Sequence, residues 1–164
     1  MAPDAIALAN YFVDLAKENN EEIKQLGLMK RVYITHGFCL AVLNKSAINP
    51  RFDNVEAWKL GPVIPSVYHS FKHHKNERIT EKSVFVKEIK NDDGYEFITP
   101  KLQDEGVKKI ADFVWERYKG FSDTAIVELT HRKGTPWDFC YEEGKNNTIP
   151  DLVTRAYYNK LIKR

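Results

Sequence analysis

The sequence is poor in cysteine and has almost no net charge, and each shortage counts against a class of protein. Its two cysteines, Cys39 and Cys140, stand far apart and form no Cys-x-x-Cys pair. This argues against a disulfide framework and favours reduced, structural thiols. A formal net charge of +2 over 164 residues disfavours nonspecific DNA or RNA binding, although a basic cluster on one face would not show in the total.

Long hydrophobic runs are also missing. We find no apolar stretch that approaches the roughly 20 residues needed to cross a bilayer. The N-terminus, with Asp4 and Asp14 around short apolar groups, lacks the basic start of a signal peptide. We therefore expect a cytoplasmic protein. The content of 43% hydrophobic and 29% charged residues is sufficient for one domain with a sizeable core, which we place at residues 1–164.

Apolar residues recur at helical spacing along most of the chain. Asp4 is placed to cap a first helix that ends near Asn19 and Asn20. A second helix carries apolar residues on two sides from Met29 to Leu43, so it should be central to the fold. Further helices are predicted after Gly61-Pro62, from Thr99-Pro100 to Gly120, from Ser122 to Gly134, and from Pro150 onward.

Two strand-like runs lie between the helical segments. Val84, Val86 and Ile89 precede the turn-rich tetrapeptide 91–94, and Tyr95–Ile98 follow it. This pattern predicts a β-hairpin. The expected fold class is therefore α+β, a mainly helical single domain with a small antiparallel β-hairpin or sheet.

The segment Val55–Tyr68 combines an apolar strand, a Gly-Pro break, a second proline and a helix start. Gly61 can adopt backbone angles closed to other residues, while Pro62 and Pro65 fix their own φ angles. We expect a stiff break after Leu60 that either presents a binding surface or serves only as a strand-to-helix turn. Large aromatic side chains could anchor an interface, and the candidates are Trp58, Tyr68, Trp115 and Trp137. Core filling explains Trp115 equally well.

The five histidines raise the question of metal binding. His69 and His73 are four residues apart, with His74 as an extra neighbour, but no accompanying Glu gives a zinc-protease pattern. The polar end of a surface helix explains this cluster better, because histidine interacts favourably with the helix dipole. No metal site is therefore predicted.

Catalysis is a second interpretation of the histidines. His36 lies on the apolar stripe of the second helix and needs a hydrogen-bond partner if buried, while His131 stands beside a Pro-Trp corner. Either could serve as a general base assisted by Glu56 or Glu128. No nucleophile elbow or phosphate-binding glycine loop accompanies them, so no catalytic residue is assigned.

Several motifs together resemble a known family, the Panacea domain of SocA-like and GepA-like proteins. The resemblance covers roughly residues 5 to 160. The motifs are Met29-Lys30-Arg31-Val32-Tyr33 in a helix to Leu40, Glu56-Ala57-Trp58-Lys59-Leu60-Gly61-Pro62-Val63-Ile64-Pro65-Ser66-Val67-Tyr68, Leu129-Thr130-His131, Thr135-Pro136-Trp137 and Ile149-Pro150.

The resemblance implies an antitoxin that binds a cognate protein toxin, and it carries over no catalytic site or cofactor. Neutralisation by direct binding is the first hypothesis. An adaptor that delivers the toxin to a cytoplasmic AAA+ protease is the second, and a small histidine-dependent enzyme is the third. The family-signature residues, which are candidates for partner binding, are Trp58, Gly61, Pro62, Tyr68, His131, Pro136 and Trp137.

Overall fold

A computed structural model describes residues 4–91 and 93–163 of the protein. The helices are α1 (Asp4–Glu18), α2 (Gln25–Phe38), α3 (Pro65–Phe71), α4 (Glu105–Tyr118), α5 (Asp123–His131), α6 (Pro136–Cys140) and α7 (Asp151–Ile162). The strands are β1 (Glu56–Trp58), β2 (Gly61–Val63), β3 (Phe85–Glu88), β4 (Tyr95–Ile98) and β5 (Asn147–Thr148). The predicted mainly helical α+β fold is confirmed.

Helix α2 is the centre of the molecule, as its two apolar sides predict. It packs against α1, α4, α5 and α7 and against β2, and its residues from Gly27 to Phe38 are all buried. The helical path continues as a π-helical segment, Cys39–Leu43. A helix covered from several directions must be apolar nearly all round, because no side of it faces water.

From the sequence we expected no apolar run long enough to cross a membrane. The central helix shows that this expectation was wrong. By length and composition alone, the 19-residue stretch Gln25–Leu43 would suffice. Inside the protein, 78% of its most apolar window is buried. Packing against the surrounding helices therefore accounts for its hydropathy.

A three-stranded antiparallel sheet, in the order β2-β1-β5, lies beside α2 and α5. The chain turns at Lys59 and Leu60, and Trp58 then faces Gly61 across the two strands. The prediction that Gly61-Pro62 breaks the strand before a helix was therefore wrong. These residues start β2, and the helix begins only at Pro65, which occupies its first turn.

The predicted hairpin is confirmed as β3 and β4, paired from Phe85 with Ile98 to Glu88 with Tyr95. Side chains alternate between the two faces of the pair. Phe85 and Ile98 are half-buried, whereas Phe97 on the other face is 72% exposed. The hairpin thus keeps one apolar face in solvent.

Side-chain caps mark the starts of α4 and α5. Ser122 caps α5 as predicted and accepts a hydrogen bond from the backbone N–H of Ala125 at 3.1 Å. Thr99-Pro100 does not start α4. Asp104 caps that helix instead and accepts from the N–H of Val107 at 3.0 Å.

The remaining helix boundaries also differ slightly from the predictions. Helix α5 ends at His131 rather than Gly134. The Pro-Trp corner is itself a short helix, α6, which ends at Cys140. Pro150 directly precedes α7, as expected. Trp115 is 3% exposed and fills the core.

Candidate functional site

The turn between β1 and β2 positions the first group of signature residues. Gly61 has a φ of +112°, a backbone conformation that a residue with a Cβ adopts only with strain. The indole of Trp58 packs edge-on against Tyr68 of α3, with ring centroids 4.9 Å apart. Its Nε1 donates to Glu56 Oε1 at 3.0 Å. The strand pair and α3 therefore hold both rings in fixed orientations.

The second group lies where α5 ends and α6 begins. Thr135 caps α6, Pro136 occupies its first turn, and Trp137 follows. The rings of His131 and Trp137 meet edge-on with centroids 5.3 Å apart, and Trp137 stacks on Tyr141 at 4.5 Å. His131 Nδ1 donates to the carbonyl oxygen of Val127 within α5.

The structure brings these two groups together, although 79 residues separate their tryptophans. Trp137 Nε1 donates to the carbonyl oxygen of Trp58 at 2.5 Å. A Cβ built on Gly61 would lie 3.4 Å from His131 Cβ, so the two corners are in direct contact. We call this assembly the signature cluster: Trp58, Gly61, Pro62, Tyr68, His131, Pro136 and Trp137.

Lys30 lies beneath the signature cluster and was not among the predicted site residues. Its side chain is fully buried, and Nζ donates to the carbonyl oxygen of Pro62 at 2.9 Å. A Cβ on Gly61 would approach this amine to 3.0 Å, so glycine leaves room for it. Lys30 therefore ties the central helix to β2 at the corner itself.

Burial lowers the pKa of Lys30 from 10.5 to about 7. Within residues 4–91 and 93–163, no carboxylate pairs with it, so no opposite charge offsets the lost hydration of the charged form. The sequence did contain a signal for Lys30, namely a charged residue inside the apolar stripe Leu28–Tyr33. A lysine at a position whose neighbours predict burial must find a polar partner in the interior.

His36 is fully buried and has found the partner that its position required. Its Nδ1 accepts from the backbone N–H of Ala47 at 3.3 Å, so Nε2 carries the ring proton and donates to Asp151 Oδ1 at 2.9 Å. This hydrogen bond is the main cause of the lowered pKa of Asp151. The carboxylate beside His36 is therefore Asp151 of α7, and neither Glu56 nor Glu128 takes that place.

The other titratable groups give no composite site. Among residues 4–91 and 93–163, no three His, Cys, Asp or Glu side chains are grouped so that they could hold a metal ion. His69 lies in α3, and His73 and His74 follow in the short 3-10 turn after it, with their rings 4.1 Å apart. Cys39 and Cys140 are free thiols.

Comparison with known proteins identifies the family. The family model "Antitoxin SocA-like, Panacea domain" matches residues 28–138. The chain belongs to this family. It is also 31% identical over 135 residues to Antitoxin SocA of Caulobacter vibrioides (strain NA1000 / CB15N), covering 82% of this chain and 69% of that protein. No solved structure matches the chain significantly.

The Panacea match runs from just before Lys30 to just after Trp137. It therefore contains the whole signature cluster and the lysine beneath it. Helix α7, with the Asp151 partner of His36, lies outside the matched residues. The cluster is thus part of the family domain itself, where it joins β1, β2, α3, α5 and α6.

Proposed function

We propose that this protein is an antitoxin that neutralises a co-encoded toxin by direct protein–protein contact in the cytoplasm. Membership of the SocA-like Panacea family supports the antitoxin role. One structural observation favours direct contact. Phe139 of α6 and Leu152 of α7 are each 75% exposed and line the same surface groove. Large apolar side chains exposed together are typical of protein interaction sites.

Within this proposal the signature cluster serves mainly as a scaffold. Its rings are half-buried and locked by mutual contacts, as in the edge-on pair of Trp58 and Tyr68 and the hydrogen bond from Trp137. A rigid support lowers the entropic cost of ordering an interface. Because Trp137 and Phe139 belong to the same short helix, fixing the first orients the second.

Co-expression with the product of the neighbouring gene tests the proposal. The toxin alone should inhibit growth, the pair should restore it, and the two proteins should co-purify. The variant Phe139→Ser should weaken co-purification, whereas His36→Gln, after a check of folding, should preserve neutralisation because no catalytic step is involved. Failure of the wild-type protein both to restore growth and to co-purify would exclude direct neutralisation.

A second exposed surface favours an adaptor function as the alternative. On the hairpin, Val86, Tyr95 and Phe97 are exposed by 54%, 67% and 72%, and none of them lines the groove of Phe139 and Leu152. An adaptor needs one surface for the toxin and another for a AAA+ protease. The half-life of the toxin decides between the two functions. Sequestration leaves it unchanged or longer, whereas delivery to a protease shortens it.

A further inference from the structure

A groove of about 590 Å³ lies between α6 and α7. Most of its lining is apolar, and the ring of Phe139 and the side chain of Leu152 project far into solvent at its sides. The apolar residues that line it include Pro136, Phe139, Leu152, Val153, Tyr157 and Leu161. On α7 they recur at the spacing of one helical face.

A second cavity, of about 340 Å³, adjoins this groove. The two share Arg132, Pro136, Tyr157 and Leu161 as lining residues. We call the combined feature the α6–α7 trough. From Leu152 to Leu161 it follows α7 for roughly 14 Å at the rise of an α-helix. An elongated apolar depression of two to three helical turns fits a peptide segment better than a compact small molecule.

The trough is positively charged along its rim. Arg132, Lys133 and Lys160 line the groove, and Arg117 lines the second cavity. Neither cavity has a described Asp or Glu among its lining residues. In the part of the chain that the structure describes, none of these four cations forms an ion pair. Their charge is therefore available to a partner.

We propose that the α6–α7 trough binds an amphipathic helix of the toxin whose apolar face is flanked by acidic side chains. The inference rests on the antitoxin function proposed above and names the binding surface and the chemistry of the partner segment. An amphipathic helix places apolar anchors three and four residues apart into such a groove. Acidic residues beside these anchors meet the cationic rim, which speeds association and fixes the orientation.

The apolar part of the proposal is tested with purified toxin by calorimetry. Phe139→Ser and Leu152→Ser change side chains that are 75% exposed, so both variants should fold normally. Each should weaken binding by about 30-fold, the effect typical of an interface anchor. The matched control is Phe97→Ser on the hairpin, which is 72% exposed and should bind as the wild type does.

The charged part is tested by the association rate. The double variant Lys133→Glu/Lys160→Glu should associate about tenfold more slowly than the wild type at low salt, and the difference should shrink at high salt. The control double variant, Lys101→Glu/Lys109→Glu, makes the same charge change at exposed positions outside the trough. It should leave most of the rate intact.

The outcomes separate this inference from the proposed function. Loss of affinity in the trough variants together with normal controls supports it. If the wild-type protein neutralises the toxin and the trough variants bind it equally well, the inference is wrong and the antitoxin function stands. If the wild type neither binds nor neutralises, both are wrong. Loss of binding in the Phe97 control, or a dimer of this chain alone that the trough variants dissociate, also overturns the inference.

Discussion

Lys30 should make the stability of this protein rise with pH through the neutral range. Its pKa falls from 10.5 to about 7 because the amine is buried, and a tenfold change in a proton equilibrium corresponds to about 1.4 kcal/mol. The charged form therefore destabilises the fold by about 5 kcal/mol in the limit of low pH.

The direction follows from proton binding. Between about pH 7 and 10.5 the unfolded chain holds a proton on Lys30 that the folded protein has lost, so stability increases with pH across this window. The destabilisation is complete below pH 7. Between about pH 6.5 and 8.5 the free energy of unfolding should rise by about 2 kcal/mol from this residue alone.

The variant Lys30→Met isolates this contribution. Methionine is flexible and apolar and fills nearly the same space. It leaves the carbonyl of Pro62 without its donor, which costs about 1–3 kcal/mol, but that loss is the same at every pH. The difference in unfolding free energy between the variant and the wild type should therefore shift by about 2 kcal/mol between about pH 6.5 and 8.5, in favour of the wild type at the higher pH.

Urea denaturation followed by tryptophan fluorescence at both pH values measures this shift. Lys109→Met, at an exposed position of α4, serves as the control and should run parallel to the wild type. Lys30→Gln provides a second buried variant if the methionine variant folds poorly. If the free energy of unfolding of the wild type and of a folded Lys30 variant changes in parallel with pH, the amine of Lys30 is not a buried group that lacks a counter-ion.

Three further variants test contacts of the signature cluster and of His36, all by urea denaturation. Gly61→Ala should lower the free energy of unfolding by about 1–3 kcal/mol, because φ is +112° and the buried amine is close. Trp137→Phe removes the hydrogen bond to the Trp58 carbonyl and should cost about 1 kcal/mol. Asp151→Asn should reduce the loss of stability at acid pH. The lowered pKa of this carboxyl beside His36 contributes stability that disappears as the carboxylate is protonated.

Each of these variants has an outcome that contradicts its explanation. Full stability of Gly61→Ala would mean that the turn relaxes without strain. The ring of Tyr141 stacks on the same indole. If Trp137→Phe lowers the free energy of unfolding no more than Tyr141→Phe does, the hydrogen bond from Trp137 to the Trp58 carbonyl does not contribute measurably to stability. Identical acid transitions for Asp151→Asn and the wild type would show that the contact with His36 does not stabilise the carboxylate.

The sequence was a good guide wherever a local rule applied. The two apolar sides of α2 predicted its central place, the turn-rich tetrapeptide predicted the hairpin, and Ser122 predicted a cap. Prediction failed where two local signals competed. Thr99-Pro100 offers a plausible helix start, yet Asp104 caps the helix, and the carbonyl of Pro100 instead accepts a hydrogen bond from the Asn10 side chain at 3.1 Å.

The signature cluster shows the same division. The sequence identified the residues of each corner separately, because proline and glycine restrict or free the local backbone and tryptophan is a recognisable large aromatic side chain. Their meeting was not predictable from spacing, since the hydrogen bond from Trp137 reaches the backbone of Trp58 across 79 residues. Lys30 was visible as a charge within an apolar stripe, but its partner is a backbone carbonyl, a group that every residue carries.

By itself the sequence determined where most of the helices lie, that α2 must be covered on several sides, and that His36 would need a polar partner. Only the tertiary structure decided that this partner is Asp151, that Lys30 supports the corner at Gly61-Pro62, and that α6 and α7 form a basic trough. The physical reason is that periodicity reports how much of a segment is buried. The path of the chain decides which distant group covers it.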